Sequence, residues 1–327
     1  TTATDVFNVA VGDNAGESVT TGIQNTLIGG LAGDALTDAD FNTAIGYLAL
    51  SGDTQGSRAV AIGYGALMSQ NFSSATDNYN VAVGHKAGHA VTTGVRNTLI
   101  GGEAGDTITT GDNNTAMGYN ALSAETQGDR NVAIGVDALA TQNHTSDTDV
   151  FNVAVGFQAG AQVTTGIRNT LLGGSSGDAV TVGDDNVAIG VSSLTANTEG
   201  NKNVAVGNNA LGALNITSQD DSHNVAVGHS AGLSVTTGVQ NVLIGSLAGD
   251  ACTDADFNIA IGYGALGANT VGSKSVAIGQ GTLVNQNPAS ATDMHNVAVG
   301  HQAGNDITTG VKNTCIGSEA GDLMTTG

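Results

Sequence analysis

Few side chains in this sequence could do chemistry, and nearly all of them recur. The seven histidines are His85, His89, His144, His223, His229, His295 and His301. His85, His229 and His301 occupy one slot of a repeat, a slot filled by Asp13 and Phe157 elsewhere. Zinc binding needs several ligands at about 2.0–2.1 Å from one ion, so residues spaced by 72 positions or more of a repeating chain cannot share a metal, and they read as surface histidines. A column of acids, Asp34, Asp106, Asp178, Asp250 and Asp322, stands in the context Ala-Gly-Asp. These are the candidate calcium ligands, with Asp112, Asp184 and Asp185, or Asp38 and Asp40, as further donors from nearby turns. Calcium takes roughly 6–8 oxygens, and the Gly-Gly-x-Gly-x-Asp calcium nonapeptide is absent, so a solvated acidic turn is the first reading. No cofactor is implied.

The two cysteines, Cys252 and Cys315, fill slots that elsewhere hold Leu36, Ile108 and Val180, or Leu27, Leu99, Leu171 and Leu243. They read as core residues. A separation of four coils, ~19 Å in a β-stack, is beyond the ~7 Å reach of a disulfide. Arg58, Arg130, Lys202 and Lys274 form a basic column, with Asp53 and Asp129 as the expected ion-pair partners. Asn71, Asn143 and Asn215 each open an Asn-x-[Ser/Thr] sequon, which Asn287 loses to Pro288. In a bacterial or phage protein these are plain loop residues. No phosphate-cradling Gly-x-x-x-x-Gly-Lys-[Ser/Thr] occurs. A catalytic triad stands out as a single break in a pattern, and no Ser-His-Asp or Cys-His set does so here. The expectation is that the chain is not an enzyme, a polysaccharide lyase on a right-handed β-helix included.

The elements carrying these residues are set by the repeat. The motif Asn-[Val/Thr]-Ala-[Val/Ile]-Gly ends on glycines 12, 29, 46, 63, 84, 101, 118, 135, 156, 173, 190, 207, 228, 245, 262, 279, 300 and 317. The spacing runs 17, 17, 17, 21 and then repeats, giving a super-repeat of 72 residues. The super-repeats are 8–79, 80–151, 152–223 and 224–295, with 296–327 partial, and 1–327 reads as one continuous repeat domain. The slot one before the glycine is large and aliphatic, three before is β-branched, and two before is Ala, or Leu at Leu27, Leu99, Leu171 and Leu243. Four after the glycine, the slot alternates in pairs, Gly16 and Gly33, then Leu50 and Leu67.

A period-two segment of β-branched residues closed by glycine is a strand and a turn. So short a strand buries nothing alone, and stacked identical coils bury one another. The expectation is an all-β parallel solenoid (a β-roll or β-helix) with a thin core of small and β-branched side chains and about 4.8 Å per coil, hence ~86 Å for 18 coils. The side that reads Val-Thr-Thr-Gly, as at 19–22 and 91–94, is expected to form a second short strand. The four extra residues of each fourth coil are expected to protrude, carrying Phe72, Tyr79 and Phe151 toward a neighbouring chain or a glycan receptor. The slot four before the glycine is Asn at 8, 25, 42, 80, 97, 114, 131, 152, 169, 186, 203, 224, 241, 258, 296 and 313, with Ala59 and Ser275 as the exceptions. Written out, Asn8, Asn25, Asn42, Asn80, Asn97, Asn114, Asn131, Asn152, Asn169, Asn186, Asn203, Asn224, Asn241, Asn258, Asn296 and Asn313 read as a structural amide ladder.

Composition narrows the partners. Lys+Arg number 8 against 29 Asp+Glu, for a net charge of −21, which opposes nucleic acid and anionic lipid. No apolar run of the ~18 residues needed for a spanning helix is present, so no membrane insertion is expected. No signal peptide is visible and the chain opens on Thr1-Thr2, as a processed or partial chain would.

Asn-Val-Ala-Val-Gly and Asn-Thr-Ala-Ile-Gly-Tyr, each with Ala three residues after the glycine, resemble the head repeats of YadA-type trimeric autotransporter adhesins and similar repeats in bacteriophage tail-fibre shafts. The resemblance covers essentially the whole chain. It implies a left-handed β-roll, three chains side by side, and a role in surface attachment, extracellular on a virion tail fibre or a bacterial surface. The adhesin repeat is shorter, and neck, coiled-coil and anchor motifs are absent. The partners expected are the chain itself, as homotrimer or end-to-end polymer, and a cell-surface glycan or protein receptor. The alternatives are a self-polymerising extracellular filament subunit, or an ice- or calcium-binding solenoid. Ice binding would use the Thr20–Thr21 and Thr92–Thr93 side, which Thr37-Asp38 and Thr54-Gln55 interrupt.

Overall fold

The computed structural model describes residues 6–326. Contacts divide the chain into two units, Thr1–Thr165 and Gly166–Gly327, each a parallel β-solenoid of nine coils by its closing glycines. Helices are absent among the described residues. A three-residue strand precedes every closing glycine, from Val9–Val11 to Val153–Val155 in the first unit and from Thr170–Leu172 to Thr314–Ile316 in the second. Within each unit, each pairs in parallel with the strand one coil on, as in Val9↔Thr26, Ala10↔Leu27 and Val11↔Ile28. The 21-residue coils do not disturb this register, since Val60 still pairs with Val81 and Val132 with Val153. Every slot therefore lies on its own kind.

The closing glycines have φ between 127° and 144°, a region that L side chains avoid. Space forbids a side chain as well. A Cβ on Gly84 would lie 2.3 Å from the carbonyl oxygen of Gly101. The column is glycine because backbone meets backbone there.

The core takes the slot expected of Cys315 and of Leu27, but not the β-branched slot beside it. The small slot two before the glycine points inward, so that Ala44, Ala61, Leu99 and Leu171 are fully buried. The β-branched and large aliphatic slots on either side point outward and stay half-exposed. Inside, the paired Gly/Leu alternation is a fit of sizes. A Cβ on Gly16 would sit 2.7 Å from Leu27 Cδ1, and one on Gly33 2.8 Å from Leu27 Cδ2. Leu99 fills the space left by Gly88 and Gly105 in the same way. Where the inward strand slot is Ala, Leu50 and Leu67 fill the core from the opposite wall, with φ of 55° and 49°. A leucine in that left-handed region costs about 1–2 kcal/mol, and burial of its side chain, worth about 1.5–3 kcal/mol, offsets it.

The Val-Thr-Thr-Gly side forms no strand. Its threonines are tied instead by a side-chain ladder, Thr20 Oγ1 donating to the Thr37 carbonyl at 3.1 Å and Thr37 Oγ1 to the Thr54 carbonyl at 3.0 Å. The second set of strands lies elsewhere, where the four-residue inserts fold back on the preceding coil: Gly56–Ser57 with Thr76–Asp77, Gly128–Asp129 with Thr148–Asp149, and Gly272–Ser273 with Thr292–Asp293. Phe72 does not protrude. It is buried at the root of its insert, as are His144 and Ile216 at theirs, while Tyr79 and Phe151 are exposed.

The size fit predicts a rescue. Gly105→Leu overpacks the core against Leu99 and Ile108 and should cost about 1–3 kcal/mol in urea unfolding. Adding Leu99→Ala should restore most of that loss.

Candidate functional site

Three columns carry the polar chemistry of the coils. The first is the asparagine column. Of the expected residues, Asn8 and Asn313 are half-buried and the remainder are buried. Each inner amide does two jobs. Asn97 Oδ1 accepts the backbone N–H of Asn114 at 2.9 Å, and Asn97 Nδ2 donates to the Gly111 carbonyl at 2.8 Å. The amide thus satisfies the coil ahead and its own turn, which a buried corner requires. Ala59 breaks the column, and neighbours fill in: Asn78 Oδ1 takes the N–H of Asn80 at 2.9 Å, and Gln70 Oε1 takes its Nδ2 at 2.8 Å.

The second column lies seven residues after the glycine and is polar in the third and fourth coils, Leu214 excepted. Asp53 is fully buried. It accepts from Gly56 N–H at 3.0 Å, Phe72 N–H at 3.1 Å and Gln70 Nε2 at 2.6 Å. Glu125, equally buried, accepts from Gly128 N–H at 2.8 Å, His144 N–H at 2.9 Å and Gln142 Nε2 at 2.8 Å, and its Oε2 lies 3.0 Å from His144 Nδ1. Burial alone would push this carboxyl up, but the His144 ring, Gln142 and the two backbone N–H groups outweigh it and hold it down at about 2. In the second unit the slot holds the neutral Asn197 and Asn269, each fastening its own turn through Gly200 or Gly272. The sequence marks this column only as a break in an otherwise apolar slot.

The third column fastens the inserts from outside. Arg58 pairs with Asp77 at 2.9 Å, Arg130 with Asp149, Lys202 with Asp221 at 2.5 Å and Lys274 with Asp293 at 2.6 Å. The partners are thus the last acids of the inserts and not Asp53 or Asp129, because the insert folds back over the preceding coil. Lys202 and Lys274 hold the carboxyls of Asp221 and Asp293 below the usual range.

The candidate calcium ligands stay apart. Asp34 and Asp106 each have one buried oxygen without a hydrogen-bond partner, and Asp178 accepts from Thr195. Desolvation raises Asp106 and Asp250 above the ordinary carboxylate range. Among the described residues no three His, Cys, Asp or Glu side chains gather to hold a metal. Cys252 and Cys315 are buried and free, and desolvation pushes the Cys252 thiol up to about 12. The sequon asparagines Asn71, Asn143 and Asn215 are exposed and accept from Thr54, Thr126 and Thr198.

What the outer surface offers is a face. Along each coil the strand residues three and one before the glycine face outward, flanked by the slots five before it and one after it. Of the 26 exposed large hydrophobic side chains, 22 fall in these four columns, the exceptions being Val6, Leu233, Val311 and Leu323. The two middle columns hold no charged residue in any coil. One rim carries Arg58 packed 4.8 Å from the Phe41 ring and 5.8 Å from Tyr79. The other carries the stacked rings of Tyr47, Tyr64 and His85, with centroids 5.9 and 5.2 Å apart. Sequence reasoning puts the small and β-branched slots in the core and gives the large aliphatic slot no side. The asparagines, sharing their phase with the slot two before the glycine, were the signal that the β-branched and large aliphatic slots face out.

No protein-family model matches the chain, and no curated protein matches it.

Glu125 makes the first unit acid-sensitive. Its carboxyl sits below the ordinary 4.5, so its contribution is present above that pH and fades as pH falls toward about 2. Glu125→Gln should lower stability at pH 7 by roughly 3 kcal/mol. Urea midpoints of the two proteins should draw closer at pH 3 and converge only at about pH 2.

Proposed function

We propose that this chain is a structural segment of an extracellular fibre that associates laterally with copies of itself, with no catalytic role. The observation that carries this reading is the four-column face. Within one unit of nine coils its strand columns, three residues across, are about 10 Å wide and about 43 Å tall. Its two middle columns hold no charge in any coil, and a continuous uncharged strip of this kind marks an interaction surface.

Charge supports a copy of the same chain as the occupant. Two molecules that each carry −21 repel unless they meet through surfaces free of acids. The middle of this face has none. The hydrogen-bonded ladders supply axial stiffness, and the repeat of the same side chains from one super-repeat to the next suits a shaft rather than a single active centre. The resemblance to adhesin heads and tail-fibre shafts supports a three-chain form and a role in surface attachment. The threonine side favours no ice-binding reading, because its hydroxyl protons are donated to the next coil.

Sedimentation equilibrium tests the proposal. A mass near three times 32.1 kDa is expected, and a monomer at all concentrations would remove the lateral-association reading. Ile189→Lys with Ile244→Lys, on outward-facing slots of the second unit, should dissociate the assembly and leave the β-sheet circular dichroism unchanged.

A further inference from the structure

One of the four inserts is built differently at its root. The slot nine after the glycine plugs the base of each insert and holds Phe72, His144, Ile216 and Pro288 in turn, all of them buried. The slot beneath it, seven after the glycine of the coil before, holds Asp53, Glu125, Asn197 and Asn269. In the second insert alone the plug is ionisable, and it stands on a carboxylate.

The hydrogen bonds fix the charge of that plug. His144 Nδ1 lies 3.0 Å from Glu125 Oε2, and Nε2 lies 3.3 Å from the Thr165 carbonyl oxygen. A carboxylate and a carbonyl only accept, so both ring nitrogens carry protons, and the ring is an imidazolium buried against an ionised Glu125. The N–H groups of Gly128 and His144 and the Gln142 amide fill out the carboxylate. In the same column the coil before supplies Ile108 and the coil after supplies Gln142, neither of them ionisable. The remaining charged groups about this insert act on one another: Asp129 with Asp112, Asp147 and Arg130, and Arg130 with Asp149.

We propose that this root is a proton-operated latch: protonation of Glu125 strips the buried imidazolium of its carboxylate, and the ring swings out with the insert, residues 143–149, while the stacked coils stay folded. A buried ion that loses its partner is far costlier than the pair, whereas in water an imidazole carries its charge at ease below about pH 6.5. The closed latch holds the Glu125 carboxyl at about 2, through His144, Gln142 and the backbone N–H groups, against an ordinary 4.5. Opening therefore takes up a proton between these values. The latch is closed above pH 4.5 and opens progressively as pH falls toward about 2. Phe72, Ile216 and Pro288 carry no charge and gain nothing by leaving in acid. The outer ion pairs Arg58–Asp77, Arg130–Asp149, Lys202–Asp221 and Lys274–Asp293 weaken in acid at all four inserts, so they do not set the second one apart. Opening parts Thr148–Asp149 from Gly128–Asp129 and bares a strand edge of the kind that pairs with other chains.

The test uses the full chain with Cys252→Val and Cys315→Leu, residues that other super-repeats carry at these slots. A reporter thiol goes into the equivalent, fully buried slot of two inserts, as Val150→Cys in the second and Ser222→Cys in the third. A dipyridyl disulfide, which reacts with thiols in acid, reads their exposure. The rate at Val150→Cys relative to Ser222→Cys should rise about 30-fold from pH 6 to pH 3, the change that one proton on Glu125 produces, with the β-sheet circular dichroism unchanged. Exchanging the second root for the third, Glu125→Asn with His144→Ile, should make that ratio independent of pH. Glu125→Gln alone, which keeps the ring, should raise the Val150→Cys rate already at pH 6. A ratio that stays flat in the parent protein overturns the latch. A rise that survives the exchange overturns it too, and would place the acid response at Arg130 and Asp149. So does a rise of both reporters together with lost circular dichroism, which is unfolding of the coils themselves.

Discussion

Backbone hydrogen bonding between successive coils is the constraint from which the rest follows. Coils paired as parallel strands stand about 4.8 Å apart, and at that distance a residue's nearest neighbour along the stack is its own counterpart one coil away. Any side chain incompatible with itself at that spacing is excluded from its slot. Glycine closes every strand because a Cβ on Gly12 would lie 2.5 Å from the Gly29 carbonyl oxygen. Asparagine holds the inner corner because its amide both donates and accepts, so one residue type satisfies the turn and the next coil together. Leucines are the informative exception. They do not stack in one unbroken column but trade places between two walls, because the core is one side chain deep.

Much of this was legible in the sequence, for the reason that stacking turns three-dimensional neighbours into a linear period. The coil length, the parallel register and the role of Asn97 or Asn114 follow from spacing alone. What spacing does not encode is phase. In Val81-Ala82-Val83 both faces are apolar, and hydrophobicity favours burying the larger side chains. The structure buries Ala82, since the inner corner asparagine Asn80 shares its phase and the narrow core has room for little else. The fourth coil's insert was misread for a related reason. Phe72 lies in a polar run, so its burial depends on the fold-back that pairs Thr76 with Gly56, a contact made through the backbone and invisible to a reading of side chains. The Asp77 partner of Arg58 is hidden by the same fold-back.

Buried polarity is spent on the inserts. Four extra residues leave backbone N–H groups that the regular coil pattern cannot pair, and unpaired buried groups cost about 1–3 kcal/mol each. A carboxylate at Asp53 or Glu125 takes one such donor, the N–H of Phe72 or His144, together with one from its own turn, the N–H of Gly56 or Gly128. The second unit answers the same need with Asn197 and Asn269, which fasten the turn without a charge. The two solutions differ in what they make of pH: only the carboxylate couples the insert to protonation.

Net charge would seem to forbid lateral assembly, and its distribution removes the objection. The four columns of the exposed face contain two acids, Asp13 and Asp185, and seven of the eight basic residues. Nearly all of the negative charge therefore lies on the other sides of the coil. Repulsion between exposed charges is screened beyond about 8–10 Å at moderate salt, whereas apolar burial acts at contact. Two copies turned face to face hold most of their acids outward, away from each other, and any other orientation brings acid toward acid. The same distribution would restrict how two copies could meet, and it would do so in every coil. A weak preference per coil, summed over the nine coils of a unit, becomes a strong one, which is how a surface with no single dominant contact can still specify one arrangement.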